Sequence, residues 1–187
     1  MIHLSRFAGV ALVGLLLAGC QPEASAPRPD PVAMTDNALG FYCQMNLKEH
    51  PGPKAQVHLE GLTGMPLFFA QVRDAIAYQR MPEQESPIVA VYVSDMGKAK
   101  SWEEPGADNW IRADDAFYVA GADVGGGMGA PEFVPFGTEA DAETFAKQHG
   151  GHVVRLGGIA DEDVLAPVDF KTDADGNFLP PETTPSK

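Results

Sequence analysis

Residues 133–156 read FVPFGTEADAETFAKQHGGHVVRL and carry a strand, a helix and a second strand in direct succession. A short apolar run opens the stretch and predicts the first strand. Thr138, with Asp141 three residues later, predicts the start of a helix, and the glycine pair at 150–151 predicts its end. The apolar residues that follow predict a strand over residues 152–156. This stretch therefore predicts a helix packed beside a small sheet.

The same order of elements occurs earlier in the chain. The predicted elements before residue 133 are strands over residues 40–47, 54–61, 88–93 and 116–120, and an amphipathic helix over residues 66–80. The order strand, strand, helix, strand thus occurs twice. The sequence predicts an α+β fold of two related small halves, about residues 37–95 and 96–170.

Residues 17–20 read LAGC and end an apolar run near the N-terminus. A basic start, a run too short to span a bilayer and small residues before the cysteine predict a bacterial lipoprotein signal peptide over residues 1–19. Cys20 would then become the lipidated N-terminus of an envelope protein. Because lipidation consumes Cys20, Cys43 is predicted to be a free thiol in an oxidising compartment.

Proline-rich segments flank the predicted domain. Residues 20–36 are expected to form a flexible tether, and residues 171–187 a disordered acidic tail. The formal net charge of −13 argues against nucleic acid as a partner. It also means that lipid chains, and not electrostatic attraction, would hold the protein to a membrane. Gln21 after the lipidated cysteine favours the outer membrane and leaves the inner membrane open.

Cys43 and Met45 are separated by one residue within the strand predicted over residues 40–47. Side chains alternate along a strand, so both sulfurs would leave the same face. A thiolate with a thioether favours Cu(I), whereas Zn(II) prefers several thiolates or imidazoles. The structural alternative is that Cys43 packs as a small apolar residue and Met45 fills a core gap. His50 follows closely and could approach an ion bound there.

Residues 125–129 read GGGMG. The four glycines make Met128 either part of a plain flexible turn or a sulfur ligand carried on a flexible arm. The segment does not match a phosphate-binding loop, because the required Lys-Ser/Thr pair is missing. His149 and His152, at a helix end and a strand start, are interpreted as residues that cap carbonyls or face water.

Three motifs occur in a fixed order, FYCQM at residues 41–45, MGAPEFVPF at residues 128–136 and FAKQHGG at residues 145–151. With the lipoprotein signal, they resemble the NosL family from about residue 39 to residue 165. The resemblance implies a periplasm-facing lipoprotein that binds one Cu(I) per chain. It also implies delivery of copper for the tetranuclear copper-sulfide centre of nitrous oxide reductase, by way of an ABC-type transporter complex.

The resemblance also implies a ligand set. Cys43 would be the thiolate ligand, and Met45 and Met128 would be thioether ligands from different halves of the fold. A histidine, with His50 as the candidate, or a water molecule would complete the site. The motifs leave that choice open.

Two other functions fit parts of the sequence. NosL-like folds are similar to part of the organomercury lyases, but that enzymatic chemistry uses paired cysteines and the mature chain would hold only Cys43. A scaffold lipoprotein of the reductase maturation system would carry the same fold with an inert Cys43. The sequence therefore predicts a copper carrier and not an enzyme, with the scaffold as the main alternative.

Overall fold

The computed structural model describes residues 28–82, 84–168, 172–177 and 179. The described strands are β1 (Ala55–Leu59), β2 (Leu67–Phe69), β3 (Ile88–Ser94), β4 (Trp110–Arg112), β5 (Phe117–Ala120), β6 (Val134–Phe136) and β7 (His152–Arg155). The described α-helices are α1 (Val72–Arg80), α2 (Glu139–His149) and α3 (Asp161–Leu165). No helix in these ranges has the length and apolar character to cross a bilayer. The predicted signal peptide and Cys20 lie outside the described residues.

The two halves share one topology. The first sheet has the order β2-β1-β3-β4 and the second has the order β6-β5-β7, with antiparallel pairing throughout. In each half the first strand lies between the second and the third, and a helix connects the second strand to the third; the first sheet adds β4 beside β3. This confirms the predicted α+β fold of two strand-strand-helix-strand halves.

The boundary between the halves differs from the prediction, because β4 was missed. This three-residue strand pairs with β3 through the contacts of Val93 with Ile111 and Ser94 with Trp110. The first sheet therefore extends beyond residue 95. A strand of three residues is too short to show a periodic pattern in the sequence.

The helix predicted over residues 66–80 begins later, at Val72. Its expected first turn is β2 instead, in which Phe69 pairs with Ala55 and Leu67 with Val57 on β1. Three consecutive apolar residues fit a buried helix and a buried strand equally well. Pairing with β1 decides between them, and this is a tertiary contact that the local sequence does not contain.

The core joins the two halves. The main cluster packs α1 and α3 against the first sheet, but it also includes Tyr118 of β5 and Phe133 beside β6. The Tyr118 hydroxyl donates to the carbonyl of Ala113 at 2.8 Å, so this large buried side chain has no unpaired polar atom. A second cluster packs α2 against the second sheet. Because the main cluster draws on both halves, we expect them to unfold together.

Part of the expected tether is bound to the fold. The amide of Val32 donates to Gln56 Oε1 at 2.8 Å, and Gln56 Nε2 donates back to the Val32 carbonyl at 3.0 Å. The Tyr92 hydroxyl donates to the carbonyl of Pro29 at 2.7 Å, and the Met34 amide donates to that of Ala107 at 2.8 Å. The tether predicted over residues 20–36 is therefore shorter, because its last residues lie against the first sheet.

His58 lies beneath this bound segment and is 1% exposed. Its Nε2 atom lies 2.8 Å from Gln56 Oε1. That oxygen already accepts from the Val32 amide, so it acts as an acceptor and His58 Nε2 carries the proton. His58 Nδ1 is buried and meets no hydrogen-bond partner among the described residues. Burial therefore lowers the pKa of His58.

Acidification is expected to destabilise the fold through His58. Below the ordinary histidine pKa of 6.5 the unfolded chain takes up a proton that the folded chain excludes, so the free energy of unfolding falls as the pH falls. Above that pH both states hold a neutral imidazole and the contribution is constant. Denaturant unfolding between about pH 5 and pH 7 should give a smaller pH slope for His58→Gln than for the unchanged chain. Equal slopes would contradict this assignment.

Candidate metal site

Cys43 lies on a tight turn, and the strand predicted over residues 40–47 is wrong. The Gln44 amide donates to the Gly40 carbonyl at 2.8 Å, and the Gly40 amide donates to the Met45 carbonyl at 3.0 Å. Gln44 has φ +55°, in the left-handed region that non-glycine residues rarely adopt. Leu39 and Asn46 form one isolated antiparallel bridge that closes the turn. Cys43 and Met45 therefore do not lie on one face of a strand, because the backbone reverses at Gln44 between them.

The Cys43 side chain is half-buried and forms no disulfide. Its sulfur lies against Gly40, where a Cβ atom would be 2.5 Å from Sγ. It packs beside an apolar cluster that contains Leu47 and Ala70, with Met34 at its edge. Glycine at position 40 therefore makes room for the thiol between the turn and the core.

The two candidate thioether ligands are exposed. Met45 is 40% exposed and Met128 is 38% exposed, whereas a methionine that fills a core gap is buried. The structural interpretation of Met45 as core filling is therefore wrong. Both thioethers are accessible to a bound ion and to an incoming partner.

The glycine-rich loop, residues 125–130, is held by specific hydrogen bonds. The Gly126 amide donates to the Ala130 carbonyl at 2.8 Å, and the Gly129 amide donates to the Gly126 carbonyl at 2.8 Å. The Met128 amide donates to Gln71 Oε1 at 3.1 Å, at the start of α1. The loop is thus a compact turn attached to the first half, whereas the sequence predicted either a plain flexible turn or a flexible arm.

His50 connects the Cys43 turn to the glycine-rich loop. Its Nδ1 atom lies 2.9 Å from the carbonyl oxygen of Gly127. A carbonyl can only accept, so Nδ1 carries a proton; in the neutral imidazole the lone pair is then on Nε2, and this is the form that ligates metals. His50 Nε2 is buried and has no hydrogen-bond partner in the described part of the chain. The chemistry of His50 therefore fits the role of an additional ligand.

Ala70 is the point at which the two loops meet. A Cβ atom at Gly40 would lie 3.8 Å from Ala70 Cβ, and a Cβ atom at Gly127 would lie 2.6 Å from the Ala70 carbonyl oxygen. The fold thus brings the segments of Cys43, His50 and Met128 together around the end of β2. His149 and His152 belong elsewhere, at the end of α2 and on β7, and the His149 ring packs on Phe145 at 4.4 Å between centroids.

Two buried ionisable residues lie near these loops, and the sequence did not single them out. Lys54 is 1% exposed, and its ammonium donates to the carbonyls of Pro51 at 3.1 Å and Gly52 at 2.6 Å. Burial lowers the pKa of Lys54 to about 8, against the attraction of Glu132 and Cys43. Burial raises the pKa of Glu132 to about 8, against hydrogen bonds from the Arg73, Phe133 and Val72 amides. A carboxylate inside an apolar strand motif is the signal that could have identified Glu132.

A cavity of about 390 Å³ lies beside the Cys43 turn, lined in part by Leu47, His50 and Lys54. Cys43, Met45 and Met128 are not among its lining residues, so the cavity is not the candidate metal site. Among the described residues, no three side chains of His, Cys, Asp or Glu are grouped so as to hold a metal ion. A metal site at Cys43 therefore depends on methionine sulfur.

The family model described as NosL matches residues 31–164 of the chain. A copper-binding lipoprotein NosL from Achromobacter cycloclastes is 54% identical over 165 residues, which cover 88% of this chain and 84% of that protein. A copper-binding lipoprotein NosL from Stutzerimonas stutzeri is 34% identical over 162 residues, 83% of this chain and 82% of that protein. The crystal structure of the copper chaperone NosL from Shewanella denitrificans has a TM-score of 0.66 at 29% identity, with 72% of this chain and 98% of that chain covered.

Proposed function

The chain belongs to the NosL family, and we propose that it is a membrane-anchored, periplasm-facing carrier of copper. It binds one Cu(I) per chain and delivers it for assembly of the tetranuclear copper-sulfide centre of nitrous oxide reductase. The observation that carries the proposal is the contact of His50 Nδ1 with the Gly127 carbonyl, which joins the turn of the free Cys43 thiol to the loop of Met128 and leaves His50 Nε2 without a hydrogen-bond partner among the described residues. Relatives named as copper-binding lipoproteins support a binding protein and not an enzyme.

The donor set favours Cu(I) as the cargo. The Cys43 thiolate cancels the single charge of Cu(I), and Met45 and Met128 add neutral, soft sulfur donors. His50 Nε2 is the candidate for the remaining position, because it has no hydrogen-bond partner among the described residues and a neutral imidazole nitrogen ligates metals. Hard ions such as Mg(II) and Ca(II) require oxygen ligands, which this set does not supply.

Delivery requires a partner that reaches the bound ion. Exposed apolar side chains surround the Cys43 turn on the described surface, and they are Leu39, Phe41, Tyr42, Met45 and Met128. The rings of Phe41 and Tyr42 pack against Phe69 and Tyr78, so they form a fixed rim beside the thiol. Such a rim suits docking of a protein partner, for which we propose an ABC-type transporter complex of the reductase maturation machinery.

The location follows from the lipid anchor. The names of the relatives as lipoproteins support lipidation of Cys20, which would hold the carrier at a membrane surface. We propose the outer membrane, because Gln21 follows the lipidated cysteine, and the inner membrane stays an alternative. Binding of residues 29–34 to the fold shortens the link, so the carrier would stay close to the lipid surface.

Copper release is expected to occur by ligand exchange. An incoming sulfur can replace an exposed thioether, Met45 or Met128, before the bond between copper and Cys43 breaks, so no charge is stranded. The rate at which the loaded protein loses Cu(I) should therefore rise with the concentration of an added peptide that bears two cysteines. Stopped-flow absorbance of the copper–thiolate bands measures this rate.

A peptide with serines in place of the cysteines is the control and should leave only slow spontaneous loss. A rate that does not change with peptide concentration, well below saturation, would show that copper dissociates first. A scaffold protein would hold no ion to transfer, and an organomercury-lyase-like enzyme would instead turn over an organometal substrate.

A further inference from the structure

Glu132 provides the N-terminal cap of α1 from about sixty residues away. Glu132 is 2% exposed, and its carboxyl oxygens accept from the Val72 amide at 3.1 Å and the Arg73 amide at 2.9 Å. These amides belong to the first turn of α1, where backbone donors lack partners within the helix. The Phe133 amide at 2.9 Å provides the third bond. The helix dipole adds to the attraction for a carboxylate at this end.

The side chain of Gln71, the N-cap residue of α1, is therefore available for another use. Gln71 makes no capping hydrogen bond to its own helix. Its Oε1 atom instead accepts from the Met128 amide at 3.1 Å, and its Nε2 atom donates to Asp74 Oδ1 at 2.9 Å. The contacts are reciprocal. Glu132, in the segment after Met128, caps α1, and Gln71, at the start of α1, accepts from the Met128 amide.

Gly126 makes room for both Glu132 and Gln71. A Cβ atom there would lie 2.5 Å from Glu132 Oε2 and 2.7 Å from Gln71 Oε1. Both polar groups therefore approach the loop backbone more closely than any side chain would allow. The glycine-rich loop therefore lies directly against Glu132 and Gln71.

We propose that Glu132 is a positioning residue that acts through Gln71 and α1 to place the Met128 thioether at the Cu(I) site. This inference rests on the proposed function, because it assigns Glu132 a role in binding the proposed cargo. Glu132 does not touch the ion. Its removal frees the first turn of α1, which releases Gln71 and with it the backbone of Met128.

A double-mutant cycle between Glu132→Gln and Met128→Leu tests the proposal. The amide of glutamine has one acceptor oxygen, so it cannot accept from all three backbone donors. Glu132→Gln should weaken Cu(I) binding about 10-fold in the unchanged chain, as expected for residues that orient metal ligands. In the Met128→Leu background the same change should cost less than about twofold, because no thioether is left to position.

The readout is the Cu(I) dissociation constant from competition with a colorimetric Cu(I) chelator, with folding followed by circular dichroism. Asp95→Asn is the matched control. Asp95 is also 2% exposed and accepts from the amides of Gly97 and Gly137, away from the glycine-rich loop. It should leave Cu(I) affinity within about twofold in both backgrounds.

Equal losses for Glu132→Gln in both backgrounds would overturn the proposal, because a general loss of stability or of charge near Cys43 does not depend on Met128. No loss in the unchanged chain would also overturn it. If Glu132→Gln fails to fold, Gln71→Ala takes its place in the cycle with Met128→Leu, and its effects on Cu(I) affinity in the two backgrounds are judged in the same way. Cys43→Ser is measured alongside. If Cys43→Ser keeps wild-type Cu(I) affinity, the proposed function is overturned. If Cys43→Ser loses affinity but Glu132→Gln has the same effect in both backgrounds, only the positioning role of Glu132 is overturned.

Discussion

Replacement of Cys43 with serine is expected to remove high-affinity Cu(I) binding. Cys43 is the free cysteine of the described chain, and a hydroxyl at this position stays neutral and cannot cancel the charge of the ion. Loss of one partner of such a charge pair costs about 3 kcal/mol or more, so affinity should fall at least about 100-fold. A Cu(I) titration against a competing chelator measures the loss, and the unchanged chain should bind about one ion.

Two histidine variants accompany this measurement. His152→Ala changes an exposed side chain on β7 and should leave Cu(I) affinity unaltered. His50→Gln removes a neutral donor and should cost much less than Cys43→Ser. Wild-type affinity and thiolate-to-copper absorbance in Cys43→Ser would show that the proposed site is wrong, and no copper uptake by the unchanged chain would favour the scaffold alternative.

Gly127→Ala is expected to separate the glycine-rich loop from the Cys43 turn. The added Cβ atom would lie 2.6 Å from the Ala70 carbonyl oxygen, 2.9 Å from His50 Cβ and 3.0 Å from the Pro51 carbonyl oxygen. Two of these atoms are backbone and cannot rotate away, so the loop must shift. Overpacking of this kind costs about 1–3 kcal/mol of folding free energy, and Cu(I) affinity should fall as Met128 moves. Denaturant unfolding and the chelator competition measure the two effects.

Gly157→Ala is the matched control for this change. A Cβ atom at Gly157 meets no heavy atom within 4 Å, and its backbone does not lie in the left-handed region. It should leave stability and Cu(I) affinity nearly unchanged. Normal copper affinity in a destabilised Gly127→Ala protein would show that the glycine-rich loop does not contribute to the metal site.

Predictions from sequence were right where one short segment contains its own signals. The strand, helix and strand around α2 were placed almost to the residue, because Thr138 accepts from the Asp141 amide at the start of the helix and Gly150, with φ +75°, ends it. The turn at Cys43 had no such signal. Its alternation of apolar and polar residues is typical of a strand, yet the backbone reverses at Gln44. The Gln44 amide donates to the Gly40 carbonyl, and the Gly40 amide donates to the Met45 carbonyl.

The candidate site shows the same division. The sequence predicts Cys43, Met45, Met128 and His50 as ligands from residue chemistry and from resemblance to a family, since sulfur and imidazole donors can be recognised without coordinates. It did not identify Gln71 or Glu132, whose roles consist of contacts with distant backbone amides. It also predicted a flexible glycine-rich loop, because it could not show what that loop would pack against.

The sequence by itself determined the doubled strand-strand-helix-strand order, because this order depends on residue type and on spacing along the chain. The lipoprotein signal and the soft donor set, which rest on the same kind of information, stay predictions. The tertiary structure alone decided where the candidate donors lie: the Cys43 turn and the glycine-rich loop meet at Ala70, and His50 Nδ1 lies within hydrogen-bond distance of the Gly127 carbonyl. The physical reason is that hydrogen-bond partners about sixty or more residues apart are chosen by packing of the shared core. Local sequence preferences carry no information about such pairs.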